Sequence, residues 1–159
     1  MRNSEKTKRL DFKLREMTAT DIDAVMALEE EIFPDAWPRA AFEDILVEEA
    51  WSAVVAQNGD EIIGYGCYLV VLDEAHLANI AVGPAYRRKS VAKHILDHIL
   101  KDIKKKKCRM LLLEVRVSNK SARIFYERYG FKELYRRKRY YRNPIEDALV
   151  MALPFIVDN

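Results

Sequence analysis

The 159-residue chain is poor in cysteine: Cys67 and Cys108 lie far apart, outside any Cys-x-x-Cys or Cys/His cluster. This excludes a disulfide framework and a cysteine-based zinc site, and reads as two free thiols in a reducing cytoplasm. Histidine is also scarce. His94 and His98 stand at i, i+4 without a third ligand and His76 stands alone, so no metal is expected. With five glycines, five prolines, no internal repeat and no Pro/Gly/Ser-rich linker, collagen-like and repeat architectures drop out. A loose tail over residues 1–9 followed by a single domain over 10–159 is expected. No run approaches the ~18 apolar residues of a membrane span, and the charged first nine residues lack the apolar region of a signal peptide. Half the chain is apolar, too much for wholesale disorder.

What is present in abundance is charge of both signs, unevenly placed. The 27 Lys+Arg and 25 Asp+Glu leave a net charge of +2. Between Glu16 and Glu61 there are 13 acidic residues against Arg39 alone, or −12, and the remainder carries +14. An acidic block beside a basic remainder fits two differently charged partners, or simply a solvated helix face.

Periodicity places a short strand near 12–16 and a helix from Thr18 or Thr20, with Ile22, Val25, Met26 and Ile32 as its apolar face. Phe33-Pro34 breaks it, and a second helix over 38–48 starts near Pro38. Residues 51–56 and 62–72 read as strands around an Asn58-Gly59 turn, with Gly64 and Gly66 as bulge candidates. A strand over 75–82 stops at Gly83-Pro84. A long helix over 90–105 follows, with Val91, Ile95, Ile99 and Ile103 at i+4. A buried strand over 110–117 leads to a helix capped by Ser118 or Asn119 and closed by Gly130, then to strands near 131–135 and 148–155. This order predicts an α/β fold with a mixed sheet and helices on its faces.

Three segments carry chemistry. Arg87-Arg88-Lys89-Ser90-Val91-Ala92 leads from a strand into the long helix, where backbone N–H groups, the helix dipole and three cations favour an anion such as a pyrophosphate. Glu114 is a carboxylate in the otherwise apolar run from Leu111 to Val117. Burial would raise its pKa toward the range of a general base; the alternative is a pair with Arg116 on the same face. Tyr126, beside Phe125 and near Phe131, is either core packing with a hydroxyl handle or a proton donor. For His76 a catalytic role is the minor reading.

The run Val71-Leu72-Asp73-Glu74-Ala75-His76-Leu77-Ala78-Asn79-Ile80-Ala81-Val82 resembles the central strand of the GNAT family of N-acetyltransferases. So do the loop 87–92, Leu113-Glu114-Val115-Arg116-Val117-Ser118-Asn119, and Phe125-Tyr126-Glu127-Arg128-Tyr129-Gly130-Phe131. More narrowly the chain is similar to the ribosomal-protein-alanine N-acetyltransferases, the RimI type, over nearly all of its length beyond residue 10. The resemblance implies a central, mostly antiparallel sheet with splayed central strands and about four helices. It implies acetyl-CoA as co-substrate, with the strand at Ile80, Ala81 and Val82 holding the pantetheine and thioester carbonyl. The loop Arg87, Arg88, Lys89, Ser90, Val91, Ala92 and Lys93 is implied to hold the pyrophosphate, and Asn119 to contact the coenzyme. Glu114 falls on the general base and Tyr126 on the general acid. Trp37 and Tyr141 are expected to grip an acceptor peptide.

The implied acceptor is a protein N-terminal amine, that of a basic ribosomal protein, flanked by the acidic helices. The enzyme would be cytoplasmic, a monomer or weak dimer, binding neither nucleic acid nor membrane directly. A small amine or lysine acceptor, or a non-catalytic acyl-CoA-binding module, are the alternatives the fold leaves open. One departure stands in the phosphate loop, where Ser90 replaces the family's first glycine.

Overall fold

The computed structural model describes residues 10–156, so the tail expected over 1–9 lies outside the described residues. Seven strands form one sheet: β1 (Lys13–Glu16), β2 (Trp51–Asn58), β3 (Glu61–Val71), β4 (Glu74–Val82), β5 (Met110–Arg116), β6 (Lys132–Arg142) and β7 (Ile145–Pro154). Their spatial order is β1-β2-β3-β4-β5-β7-β6. Only the β4–β5 pair is parallel; the other pairs are antiparallel. The helices are α1 (Ile22–Ile32), α2 (Arg39–Val47), α3 (Val91–Lys105) and α4 (Lys120–Arg128).

Two cores lie on the two faces of the sheet. On one, α3 presents Val91, Ile95, Leu96, Ile99 and Ile103 to Val54, Leu77, Leu111, Leu113, Leu149 and Met151, joined by Tyr126 and Phe131. On the other, α1 and α2 press Ile22, Val25, Phe42 and Ile45 onto Val55, Tyr65, Cys67 and Ala81. The alternation of side chains along each strand sorts residues between the faces. The helical repeat of α3 supplies a stripe that fits the groove above β3.

Gly64 and Gly66 act here through their size. The expected bulge lies beside the first of them: between Ala56 and Gln57 of β2 the β3 partner jumps from Gly64 to Ile62, so Ile63 is an extra residue, whereas Gly66 pairs regularly with Val54 and Ile80. A Cβ on Gly66 would sit 2.8 Å from Ile95 Cγ2 and 3.1 Å from Ile99 Cδ1. The glycines therefore let α3 approach the sheet closely.

The register shifts a second time, against β4. Between Cys67 and Tyr68 of β3 the β4 partner jumps from Asn79 to Leu77, so Ala78 is an extra residue. At this bulge the faces of β4 exchange. Ala75 and Leu77 pack toward α3, whereas beyond it Ala81 packs toward α1 and α2. The same point ends the contact with β5: β4 pairs with β5 only from Glu74 to Leu77 against Met110 to Leu113. The two central strands then diverge, and the β4 edge over residues 78–82 faces the split.

The last two strands are longer than the sequence suggests. The segment Arg136 to Arg142 belongs to β6, an edge strand whose side chains are mostly exposed. Charged residues on an edge discourage strand addition by another chain and erase the apolar alternation that signals a strand.

Replacing Gly66 by Ala should destabilise the protein by about 1–3 kcal/mol, the cost of forcing an extra carbon into a packed core. Urea unfolding should show a lower midpoint.

Candidate active site

Two cavities flank the split. The first, of about 640 Å³, is lined by Val82, the loop residues Arg87, Arg88, Ser90, Val91, Ala92 and Lys93, and by Tyr86, Phe125, Arg128 and Tyr129. The loop enters α3 through Ser90, whose φ of 64° and ψ of 16° are left-handed; Arg88 is left-handed too, at φ 61°. Left-handed residues alternating with ordinary ones turn successive backbone N–H groups inward, and the first turn of α3 adds its own free N–H groups. Three cationic side chains of the loop, Arg87, Arg88 and Lys93, stand around this cradle. The arrangement fits a pyrophosphate at one end of an elongated ligand.

Not every residue expected here reaches the cavity. Lys89 is in the loop but not in the lining. Ile80 packs toward the α3 core and Ala81 is buried toward α1 and α2, so these two present only backbone to the split. The Asn119 side chain accepts a hydrogen bond from the Ala122 N–H at 3.2 Å and caps α4. Tyr86, Phe125, Arg128 and Tyr129 were missed. Phe125, Arg128 and Tyr129 recur at helical spacing, and Tyr129 ties α4 to α3 by donating its hydroxyl to Asp97 at 2.8 Å.

The second cavity, of about 830 Å³, opens on the α1 side of the split. Trp37, Asn79, Glu114, Arg116, Tyr140, Tyr141 and Arg142 are among its walls, together with Glu29, Asp35 and His76. Glu114 is where the sequence reading needs its main correction. Its partner is His76, with Nε2 at 2.6 Å from Oε2, and its second neighbour is Arg137, Nη1 at 3.6 Å from Oε1. An ionised carboxylate can only accept, so His76 carries its proton on Nε2.

Arg116 turns elsewhere, to Asp35 at 3.1 Å and Glu146 at 3.3 Å, with its guanidinium over the Tyr141 ring at 4.2 Å. The pair Glu114–Arg116 does not form. Burial pushes the Glu114 carboxyl up, but the His76 hydrogen bond and charge, with Arg137 behind them, outweigh it and hold the group below the usual carboxylate range. The expected rise toward neutral pH is therefore reversed.

Glu29, two helical turns into α1, is 1% exposed. Its Oε1 accepts the Trp37 N–H at 3.1 Å and its Oε2 accepts Asn79 Nδ2 at 2.8 Å, with the Tyr65 hydroxyl as a third donor. Glu29 was read only as part of the acidic block. Its position on the same helical stripe as Ile22 and Val25 was the available signal.

Tyr126 lines neither cavity. Its ring lies between Phe125 and Phe131, at centroid distances of 5.3 and 5.5 Å. Burial, then the nearby Tyr141 phenol, push its hydroxyl well above the ordinary range, so it keeps its proton at neutral pH. The charge split of the sequence does not simply divide the two cavities. Arg116 and Arg142 line the second one together with Glu29, Asp35 and Glu114, so residues of both signs wall it.

Two outcomes check this geometry. The Glu114 carboxyl should titrate below the ordinary ~4.3, and Arg137→Gln or His76→Ala should each raise its midpoint, as read by NMR titration of the side-chain carbonyl. Ser90→Gly should stabilise the protein by roughly 0.5–1 kcal/mol. That is the left-handed penalty of about 1–2 kcal/mol less the extra unfolded-chain entropy of glycine, about 0.5–1 kcal/mol. Urea midpoints measure it.

Comparison with known proteins follows the same outline. The model of the Acetyltransferase (GNAT) family matches residues 22–131. The [ribosomal protein bS18]-alanine N-acetyltransferase of Escherichia coli K12 is 36% identical over 140 residues, covering 87% of this chain and 94% of its own. An N-alpha-acetyltransferase of Saccharolobus solfataricus is 32% identical and covers 97% of this chain and 99% of its own. The crystal structure of the ribosomal-protein-S18-alanine N-acetyltransferase from Escherichia coli superposes with a TM-score of 0.86 at 31% identity, over 94% of this chain and 97% of that one. Arabidopsis thaliana NAA60 in complex with acetyl-CoA shares the fold, with a TM-score of 0.83 at 18% identity over 91% and 98%.

Proposed function

The chain belongs to the Acetyltransferase (GNAT) family, and we propose that it moves an acetyl group from acetyl-CoA directly to the N-terminal α-amine of a protein. The acceptor we propose is the N-terminal alanine of a small-subunit ribosomal protein, acetylated in the cytoplasm. The observation that carries the reading is the Glu114 carboxylate. It is held 2.6 Å from His76 on the wall of the second cavity, beside the split that separates this cavity from the phosphate cradle. The names of the bacterial relatives support the acceptor.

The co-substrate would lie with its pyrophosphate among Arg87, Arg88, Ser90 and Lys93 and its thioester end at the free edge of β4 beyond Ala78. It supplies an acetyl group activated as a thioester. This chain supplies the proton handling. An α-amine, with an ordinary pKa near 8, must lose a proton before it can attack. Glu114 takes that proton, directly or through a water, and His76 and Arg137 keep it ionised and aimed. Tyr126, kept protonated at neutral pH by burial, is the proposed donor to the departing thiolate. Attack is direct, so the buried thiols Cys67 and Cys108 take no part. Trp37 and Tyr141, both lining the second cavity, hold the peptide behind its first residue.

The test is acetylation of a peptide beginning with Ala and followed by basic residues, with mass spectrometry locating the acetyl group. Modification of the α-amine is expected. Faster acetylation of free amines or internal lysines would refute the acceptor. Glu114→Gln and Tyr126→Phe should each lower kcat by about 10²- to 10⁴-fold, and unchanged turnover would remove their roles.

A further inference from the structure

Trp37 and Trp51 wall the acceptor-side cavity and also wall a third cavity, of about 350 Å³, over the outer side of α2. Pro38, Ala41, Asp44, Ile45 and Glu48 complete its lining. The walls are held in place. Trp37 packs on Phe42 at a centroid distance of 5.6 Å, and the Trp51 N–H donates to the Glu48 carbonyl at 3.1 Å. Asp44 on α2 and Glu48, its C-cap residue, are exposed and one turn apart, the Glu48 N–H donating to the Asp44 carbonyl at 3.0 Å. The ion pairs nearest in the chain, Arg39 with Asp23 and Arg116 with Asp35, use neither. Two like charges at this spacing repel, and a cation between them removes the repulsion.

We propose that this cavity is a second acceptor subsite, which takes the guanidinium of an arginine downstream of the acceptor's first residue. The inference rests on the reading of the function as N-terminal acetylation. An extended peptide whose amine reaches Glu114 leaves the site past the two indoles that the cavities share. A planar guanidinium can stack on an indole face while its edge pairs with a carboxylate. Lysine, a compact and strongly hydrated charge, uses the indoles less well. The subsite deepens the specificity of the same site and adds no chemical step.

The experiment uses the full chain and a set of Ala-first peptides in which one glutamine at positions two to six is replaced by arginine. At one or two adjacent positions arginine should lower KM about three- to tenfold with kcat unchanged, as for added binding equal in ground and transition states. In the double variant Asp44→Asn, Glu48→Gln the ratio between the arginine and glutamine peptides should fall to about one. In Asp44→Lys, Glu48→Lys a glutamate at the same position should be preferred. An arginine effect absent at every position, or undiminished in both double variants, overturns the subsite and leaves N-terminal acetylation standing. If no peptide is acetylated on its α-amine, the functional reading fails and the subsite with it.

Discussion

The parting of β4 from β5 is the constraint on which the rest of the molecule depends. The two strands run parallel and bonded for four residues, then separate at the extra residue Ala78. A regular β4 would carry its ladder onward and close the sheet. The bulge breaks that ladder and leaves a backbone edge facing open space. It also changes which face each side chain takes. His76, before the bulge, and Asn79, three residues on, both line the second cavity, although strict alternation would send them to opposite faces. One inserted residue thus creates the gap and turns two polar groups toward it.

Around this gap the electrostatics are arranged in tiers. Asp35, in the loop between α1 and α2, accepts from Arg116 on β5 and from the Asn143 N–H at the β6–β7 turn. Those contacts bind three distant segments across the acceptor side, and Glu146 and the Tyr141 ring complete the surroundings of Arg116. Deeper in, Glu29 is buried among neutral donors, one of them the N–H that fixes Trp37. A buried carboxylate survives only with its lone pairs occupied, and here the satisfied lone pairs double as a joint between α1, β3 and β4. The exposed acids of α2 face solvent, free to meet a partner.

Legibility in the sequence followed how local each signal was. The α3 stripe, the Asn58-Gly59 turn, the Asn119 cap and Gly130, at φ 98°, are set by neighbours in the chain, and all were read correctly. At Ser90, where the family's glycine is missing, the backbone is left-handed, a conformation the sequence reading did not anticipate. The long β6 was not legible, because Arg136 to Arg142 has no apolar alternation and is a strand only through β7. The bulge was not legible either: Ala78 is an ordinary residue whose irregularity exists only against β3. Glu114 was singled out correctly as a carboxylate in an apolar strand, but its environment was misjudged. Burial alone was considered, and the partners lie 38 residues back and 23 residues ahead, on different strands.

By itself the sequence determined the order of the elements, the family pattern and the cationic loop before α3. Each of these rests on composition and spacing within a few turns of chain. Only the tertiary structure decided that Glu114 answers to His76 and Arg137, that Arg116 braces the α1–α2 loop against the β6–β7 turn, that Glu29 is a buried joint, and that the two tryptophans wall two cavities. The reason is physical: a side chain's charge state and reach depend on what the fold brings within a few ångströms, and those neighbours come from strands that meet only when the sheet assembles.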